Sequence, residues 1–160
     1  MEQHPQPPDD QLLGLLLRLL QQHWGVAVDS ALKAAGFGDI RAPHASVFPF
    51  VPPEGISVSE LAKRAHVRKQ TMAQAVEELE QMGYVERRPN PRDRRARLVL
   101  LTPRGKAVPP VAIAAGRQVE ERWAQLTSPR KLESLRRSLH GLLTELQTEG
   151  DTVASPESKP

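Results

Sequence analysis

Cysteine is absent from this chain of 160 residues, which excludes disulfides, thiolate metal sites and redox sensing through a thiol. Long apolar runs are missing too: the run from Leu12 to Leu20 is interrupted by Arg18 and is shorter than the ~20 residues that a helix needs to cross a bilayer. No basic segment begins a signal peptide, since the first charged residues are Glu2, Asp9 and Asp10. We therefore expect a cytoplasmic protein without a membrane segment.

Catalytic and cofactor motifs are also missing. The sequence holds no glycine-rich phosphate loop, no serine-centred elbow and no pair of histidines at metal-ligand spacing. Isolated packing or surface histidines account for the five histidines better than a zinc site does. We expect neither an enzyme nor a metal or other cofactor.

Positive charge is concentrated in the middle of the chain. Between Lys63 and Lys106 twelve basic residues stand against five acidic ones, whereas the remainder holds ten basic and fourteen acidic residues. Such a local surplus is typical of a surface that binds a polyanion, because a merely solvated surface usually intersperses the two signs. Nucleic acid is therefore the leading candidate partner.

Residues 56–85 carry the pattern of a helix-turn-helix. Ser57, with Glu60 three residues later, forms a capping box, in which the serine oxygen accepts a free backbone amide and the glutamate reaches back to the cap. After a short turn, a second helix is predicted from Arg68 or Lys69 to Met82, and Gly83 supplies its stop. Its predicted buried side consists of Met72, Ala75, Val76 and Leu79.

The other face of this second helix suits the major groove of DNA. Glutamine can pair with adenine, lysine with guanine or phosphate, and a threonine methyl group can meet that of thymine. The alternative interpretation is a plain helical hairpin in an all-helical bundle. The candidate DNA-binding residues here are Arg68, Lys69, Gln70, Thr71 and Gln74.

A basic hairpin, or wing, is predicted next. Residues 84–88 and 96–101 are compatible with strands around a loop over 89–95. Six arginines stand against one acid from Arg87 to Arg97, and arginines at a hairpin tip can enter an adjacent minor groove. The alternative is a solvated loop. The candidate DNA-binding residues of the wing are Arg92, Arg94, Arg95 and Arg97.

From Ser57 to Gly105 the chain resembles the DNA-binding core of the MarR family of bacterial transcription regulators. The matching motifs are L-A at Leu61–Ala62, L-E-x-x-G-Y-V at Leu79–Val85, D-x-R at Asp93–Arg95 with Arg97 after it, and L-T-P-x-G at Leu101–Gly105. Looser agreement in helix order extends the resemblance over about residues 10–147.

The resemblance implies a ligand-responsive repressor that binds specific sequences of duplex DNA through a winged helix-turn-helix. It assigns Arg95 to the minor groove and Asp93 to support of the wing. Arg68 departs from the family pattern, because a capping serine is common at that position and arginine cannot cap. The start of the second helix would then be held by a phosphate contact or by a neighbour.

Apolar helices flank this core. The first is predicted over about Asp10–Ala35 and carries leucines nearly all round its first half, so several of its faces need cover. The last, capped by Ser128-Pro129, carries a leucine stripe at helical spacing. Together they predict a homodimer, as in the resembled family, and a two-fold dimer implies a near-palindromic operator.

Prolines shape the connections between these helices. A shorter helix is predicted over Ile40–Val51, ended by Pro52 and Pro53. Beyond the wing, Pro109 and Pro110 predict a kink or a restart near Val108, unless they open a new helix themselves.

The predicted fold is mainly α with a small β-hairpin wing, a winged helix-turn-helix joined to a helical dimerisation domain built from both chain ends. Its segments are a disordered tail (1–9), N-terminal dimerisation and linker helices (10–55), the DNA-binding core (56–102), C-terminal dimerisation helices (103–147) and a second disordered tail (148–160).

A small aromatic or phenolic effector is implied only by the resemblance. By that analogy the candidate ligand residues are Trp24, Val28, His44, Val47 and Phe48, and the alternative is that Trp24 and Phe48 simply fill the core. The second function hypothesis is a winged-helix module that binds another protein and never meets DNA, against which the wing arginines argue.

Overall fold

The computed structural model describes residues 12–153. In chain order the elements are α1 (Leu13–Ala34), α2 (Ala42–Ala45), a 3-10 turn (Phe48–Phe50), α3 (Val58–Arg64), α4 (Lys69–Gln81), β1 (Val85–Asn90), β2 (Asp93–Leu101), α5 (Pro103–Lys106), α6 (Val108–Leu126) and α7 (Pro129–Val153). The chain divides within α6 into two compact units, one that ends at Gly116 and one that begins at Arg117.

The core of the first unit lies between the helix-turn-helix and the hairpin. Leu61 of α3 packs with the apolar face of α4, and Tyr84 closes the cluster with its ring edge-on to Phe37 and Phe48. All four residues predicted for the buried side of α4 are buried, namely Met72, Ala75, Val76 and Leu79. Helical spacing therefore gave the correct inner face.

The helix-turn-helix begins with half of the expected capping box. The Ser57 hydroxyl accepts the backbone N–H of Glu60 over 3.2 Å, as predicted. The Glu60 carboxylate, however, accepts the Nε–H of Arg64, one turn later, over 3.3 Å. It therefore pairs with a basic side chain and does not reach back to the cap. The turn then passes through His66 with φ at 52°, and Gly83 ends α4 with φ at 77°.

The wing is a longer hairpin than predicted. The antiparallel register pairs Val85 with Leu101 and continues to Asn90 with Asp93, with an irregularity at Pro89 and Asn90. The expected loop over 89–95 thus shortens to a tight connection. Side-chain turn contacts explain the difference: Asn90 Oδ1 accepts the Arg92 N–H, and Asp93 Oδ1 accepts the Arg95 N–H, each over 3.0 Å.

The single helix predicted over Ile40–Val51 is wrong. The structure places two short pieces there, α2 and the 3-10 turn, and each has a proline in its first turn. Pro49 lacks the N–H that a continuous helix would need at that point, so the helix cannot run through it.

Past the wing, the chain restarts as expected. Thr102 caps α5 by accepting the Gly105 N–H over 3.1 Å, and α6 opens at Val108 with Pro109 and Pro110 in its first turn. Gly105 is required by space, because a side chain at that position would overlap the backbone oxygen of Tyr84.

Apolar side chains remain exposed on each unit. In the first unit Leu12 is 81% exposed and Leu13 is 58% exposed, and further leucines of α1 are partly exposed. In the second unit Leu142, Leu143 and Leu146 lie exposed on α7.

Both chain ends bear on the segment boundaries proposed from sequence. The N-terminal tail predicted over residues 1–9 lies outside the described residues. At the other end α7 continues past residue 147 to Val153, so the first part of the tail predicted over 148–160 is helical. The rest of that predicted tail lies outside the described residues.

Candidate nucleic-acid interface

The polar face of α4 points to solvent. Lys69, Gln70, Thr71 and Gln74 are all exposed, opposite the side that packs against α3. Arg68 stands at the N-cap with extended backbone and no side-chain capping bond, and it too is exposed. The first turn of α4 therefore presents amide hydrogens, two basic side chains and two neutral polar ones, the kinds of group that contact phosphates and base edges.

One residue of this face, Gln74, is hydrogen-bonded within the protein. Gln74 donates its Nε2–H to Glu78 Oε1 over 3.1 Å, and Glu78 Oε2 lies 2.6 Å from Nε2 of the buried His44. The hydrogen bonds from His44 and then from Gln74 hold the pKa of Glu78 below its usual range. Sequence reasoning missed this link, because its two ends are 34 residues apart and no local motif joins them.

The arginines of the wing fall into two groups. Arg87 is held by Glu80 of α4, which accepts its backbone N–H over 3.2 Å and its Nε–H over 2.8 Å, and Arg88 pairs with Glu86. These two charges are balanced within the protein. Three further predicted wing arginines are exposed and form no salt bridge with a described residue: Arg92, Arg95 and Arg97. After the contacts of Arg87, the charge of Arg97 also helps to lower the pKa of Glu80. The Arg94 side chain lies outside the described residues.

A contact between Glu80 and Arg87 fixes the wing to α4. The carboxylate meets both the guanidinium and the backbone of Arg87, and this contact holds the pKa of Glu80 below its usual range. The predicted surplus of six arginines therefore contains a structural pair that orients the hairpin against the recognition helix.

A second cluster ties α5 to the loop before α2. Tyr84 donates its hydroxyl hydrogen to Asp39 Oδ1 over 2.5 Å, and Arg104 donates to Asp39 Oδ2 over 3.1 Å while its guanidinium lies 4.2 Å from the centroid of the Tyr84 ring. The hydrogen bond from Tyr84 is the main reason why the pKa of Asp39 is lowered.

The candidate ligand residues differ in burial. Val47 and Phe48 are buried in the core and Val28 packs against it, so a ligand would reach the first two only by displacing core side chains. Trp24 lies against α6, where its ring occupies the space that a side chain at Gly116 would need. A cavity of about 400 Å³ beside α4 is lined by His44 but not by the other four candidates.

Comparison with known proteins identifies the family of the DNA-binding core. The MarR family model matches residues 51–96, the segment that holds α3, α4 and most of the hairpin. No curated protein matches the chain. Among solved structures, apo MarR from E. coli is 25% identical, with 84% of this chain and 99% of that one aligned and a TM-score of 0.69. The segment from residue 51 to residue 96 is a MarR-family segment.

Two further solved structures align with most of the chain. A probable transcriptional regulator from Pseudomonas aeruginosa is 26% identical over 88% of this chain and 99% of its own, with a TM-score of 0.67. CouR from Rhodococcus jostii RHA1, solved with p-coumaroyl-CoA, is 26% identical over 84% and 92%, with a TM-score of 0.65. The predicted fold class is thereby confirmed. The matched segment and the similar structures are those of transcriptional regulators.

Two negative findings hold for the part of the chain that the structure describes. No helix between residues 12 and 153 is both long and apolar enough to cross a membrane. No group of three or more histidine, aspartate or glutamate side chains there comes together as a metal site.

Proposed function

We propose that this MarR-family regulator is a repressor that binds a near-palindromic duplex operator as a homodimer. The observation that carries the proposal is that one compact unit presents both the exposed polar face of α4 and three exposed wing arginines that form no salt bridge with a described residue. An exposed charge that the protein does not balance is available to neutralise phosphate.

The proposed contacts divide between two grooves. Lys69, Gln70, Thr71 and Gln74 contact base edges and phosphates in the major groove, and Arg68 contacts a phosphate at the start of α4. Arg95, assisted by Arg92, Arg94 and Arg97, enters the adjacent minor groove. Asp93 supports that placement, since its carboxylate holds the backbone N–H of Arg95 in the turn of the wing.

Dimerisation supplies the second half-site. Exposed leucines on α1 and on α7 are apolar area that a second copy would remove from water. In a two-fold dimer the recognition helices lie ~34 to 36 Å apart, one turn of DNA, so each protomer reads one half of the operator. We assign residues 10–55 and 103–147 to this role and residues 56–102 to the DNA.

We also propose an effector of aromatic or phenolic chemistry that relieves repression. Support comes from CouR, whose structure was solved with p-coumaroyl-CoA. Because Val47 and Phe48 are core residues, the proposal places the ligand first beside Trp24, Val28 and His44 and requires the core to open if Val47 and Phe48 take part.

The test is fluorescence anisotropy of the purified protein against the duplex upstream of its own coding region, at two salt concentrations, with a scrambled duplex as control. We expect preference for the native duplex and saturation at two chains per site. Equal, salt-sensitive binding to both duplexes would contradict sequence-specific binding to this site. No binding at either salt would favour the protein-interaction module instead.

A further inference from the structure

The Gln74 carboxamide is oriented by the protein before any DNA arrives. Its Nε2 donates to Glu78 Oε1 over 3.1 Å, one helical turn further along α4. A carboxylate that is ionised only accepts hydrogen bonds, so it attracts the N–H side of the carboxamide and repels the oxygen side. Of the two orientations of this amide, the one with Nε2 towards Glu78 is therefore favoured.

Glu78 is in turn held from behind by a buried histidine. His44 is 2% exposed, its Nδ1 accepts the backbone N–H of Arg41 over 3.1 Å, and its Nε2 lies 2.6 Å from Glu78 Oε2. Since Nδ1 accepts, the ring proton is on Nε2 and is donated to Glu78. One carboxylate oxygen is thus committed to His44, which leaves the other facing Gln74.

We propose that Glu78 is a positioning residue that fixes the orientation of the Gln74 carboxamide and thereby selects the orientation of the base pair that Gln74 reads. This inference rests on the proposed function. Glutamine recognises adenine by accepting from N6 and donating to N7, and Nε2 has a second hydrogen to donate after the first is given to Glu78. When the acceptor and the donor of the Gln74 carboxamide are held in a fixed order, they match the adenine of A·T and mismatch the reversed pair, T·A.

The charge of Glu78 separates this role from a general contribution to binding. Its side chain is 42% exposed on the DNA-facing helix, so its negative charge repels phosphate. Removing that charge should strengthen binding to DNA of any sequence, while loss of the orienting contact should weaken discrimination at one base pair. A residue that only stabilised the fold would leave this discrimination unchanged.

The test variant is Glu78→Gln, which keeps the size of the side chain. The amide oxygen of the new glutamine can still accept the hydrogen bond from His44, which leaves its N–H group facing Gln74. The Gln74 carboxamide then turns its own oxygen towards position 78. The base pair read by Gln74 is identified first, as the position at which Gln74→Ala loses discrimination. At that pair the wild type should prefer one orientation by roughly 5- to 150-fold. Glu78→Gln should bring this ratio close to one or reverse it.

Glu77→Gln is the matched control, because it removes the same charge from the neighbouring, exposed position of α4. Both variants should bind scrambled DNA more tightly, and only Glu78→Gln should change the base preference. In a Gln74→Ala background, Glu78→Gln should have no further effect on that preference. Unchanged discrimination in Glu78→Gln, with specific binding by the wild type intact, would overturn the inference alone. Failure of the wild type to prefer its own duplex would overturn the proposed function and this inference together.

Discussion

At the scale of single residues, the proposed DNA contact of Arg95 can be distinguished from the internal pairing of Arg87. Arg95 is exposed without an ion pair among the described residues, whereas Arg87 is held by Glu80. Arg95→Ala should weaken binding to most sequences and lower the slope of log K against log salt by about 0.9 for each phosphate that the variant no longer neutralises. Anisotropy titrations over a salt series measure both quantities.

Arg137→Ala, which removes the same charge from the exposed surface of α7, is the control for net charge. Its slope should stay close to that of the wild type. Equal slopes in the wild type and Arg95→Ala would show that Arg95 does not meet the DNA.

Asp39 makes a residue-scale prediction about pH. Its pKa is lowered in the folded protein, chiefly by the hydrogen bond from Tyr84, so it adds stability above its usual value of 3.8 and loses that stability as the pH falls through the folded-state value. Asp39→Asn should therefore be less stable near neutral pH, by at most about 1 kcal/mol because the carboxylate is 39% exposed. The difference in stability between Asp39→Asn and the wild type should narrow in acid. Urea unfolding near neutral pH and in acid measures this difference.

Asp29→Asn, on the exposed surface of α1, is the control, since Asp29 forms no ion pair with any described residue. If Asp39→Asn and the wild type differ by the same amount at both pH values, Asp39 does not supply this pH dependence.

At the scale of elements, features that are set by local sequence were predicted better than features that depend on long-range contacts. Ser57, the apolar spacing of α4 and the stop at Gly83 are set by neighbours within a few residues, and the structure contains all three. The helix predicted over Ile40–Val51 failed at Pro49, where the missing backbone donor outweighs the surrounding apolar residues.

The candidate site shows the same limit. The exposed face of α4 follows from helical periodicity, but the link from His44 to Glu78 joins residues 34 apart and depends on packing between α2 and α4. Pairing of Arg87 with Glu80 likewise depends on how the hairpin lies on α4, which no local pattern contains. Composition therefore predicted a surplus of arginine without showing which arginines were free.

Packing of α1 on α6 depends on one glycine. A side chain at Gly116 would overlap the indole ring of Trp24, so Gly116→Ala should lower the free energy of unfolding by about 1 to 3 kcal/mol despite the better helix propensity of alanine. Gly141→Ala, inside α7 with nothing within 4 Å of the added carbon, should be neutral or stabilising by up to about 1 kcal/mol. Thermal unfolding of both variants compares them, and equal stability would show that the Trp24 ring yields.

At the scale of the whole molecule, the proposed repressor needs two copies of the chain. Leu143 is 57% exposed on the apolar stripe of α7. A charge at the centre of an apolar interface would be buried without a partner, so Leu143→Glu should shift the protein from dimer to monomer. Light scattering during gel filtration measures the mass, and anisotropy on the full operator should show a large loss of affinity, because a monomer engages one half-site.

Ser134→Glu adds the same charge to the opposite side of α7 and should leave both the mass and the affinity unchanged. A half-site duplex separates the two roles further, since Leu143→Glu should bind it about as well as one protomer of the wild type does. If Leu143→Glu remains a dimer, the α7 stripe is not part of the interface, and the exposed leucines of α1 become the surface to test. If it is monomeric yet binds the full operator as tightly as the wild type, operator binding does not depend on pairing, and the near-palindromic arrangement is wrong.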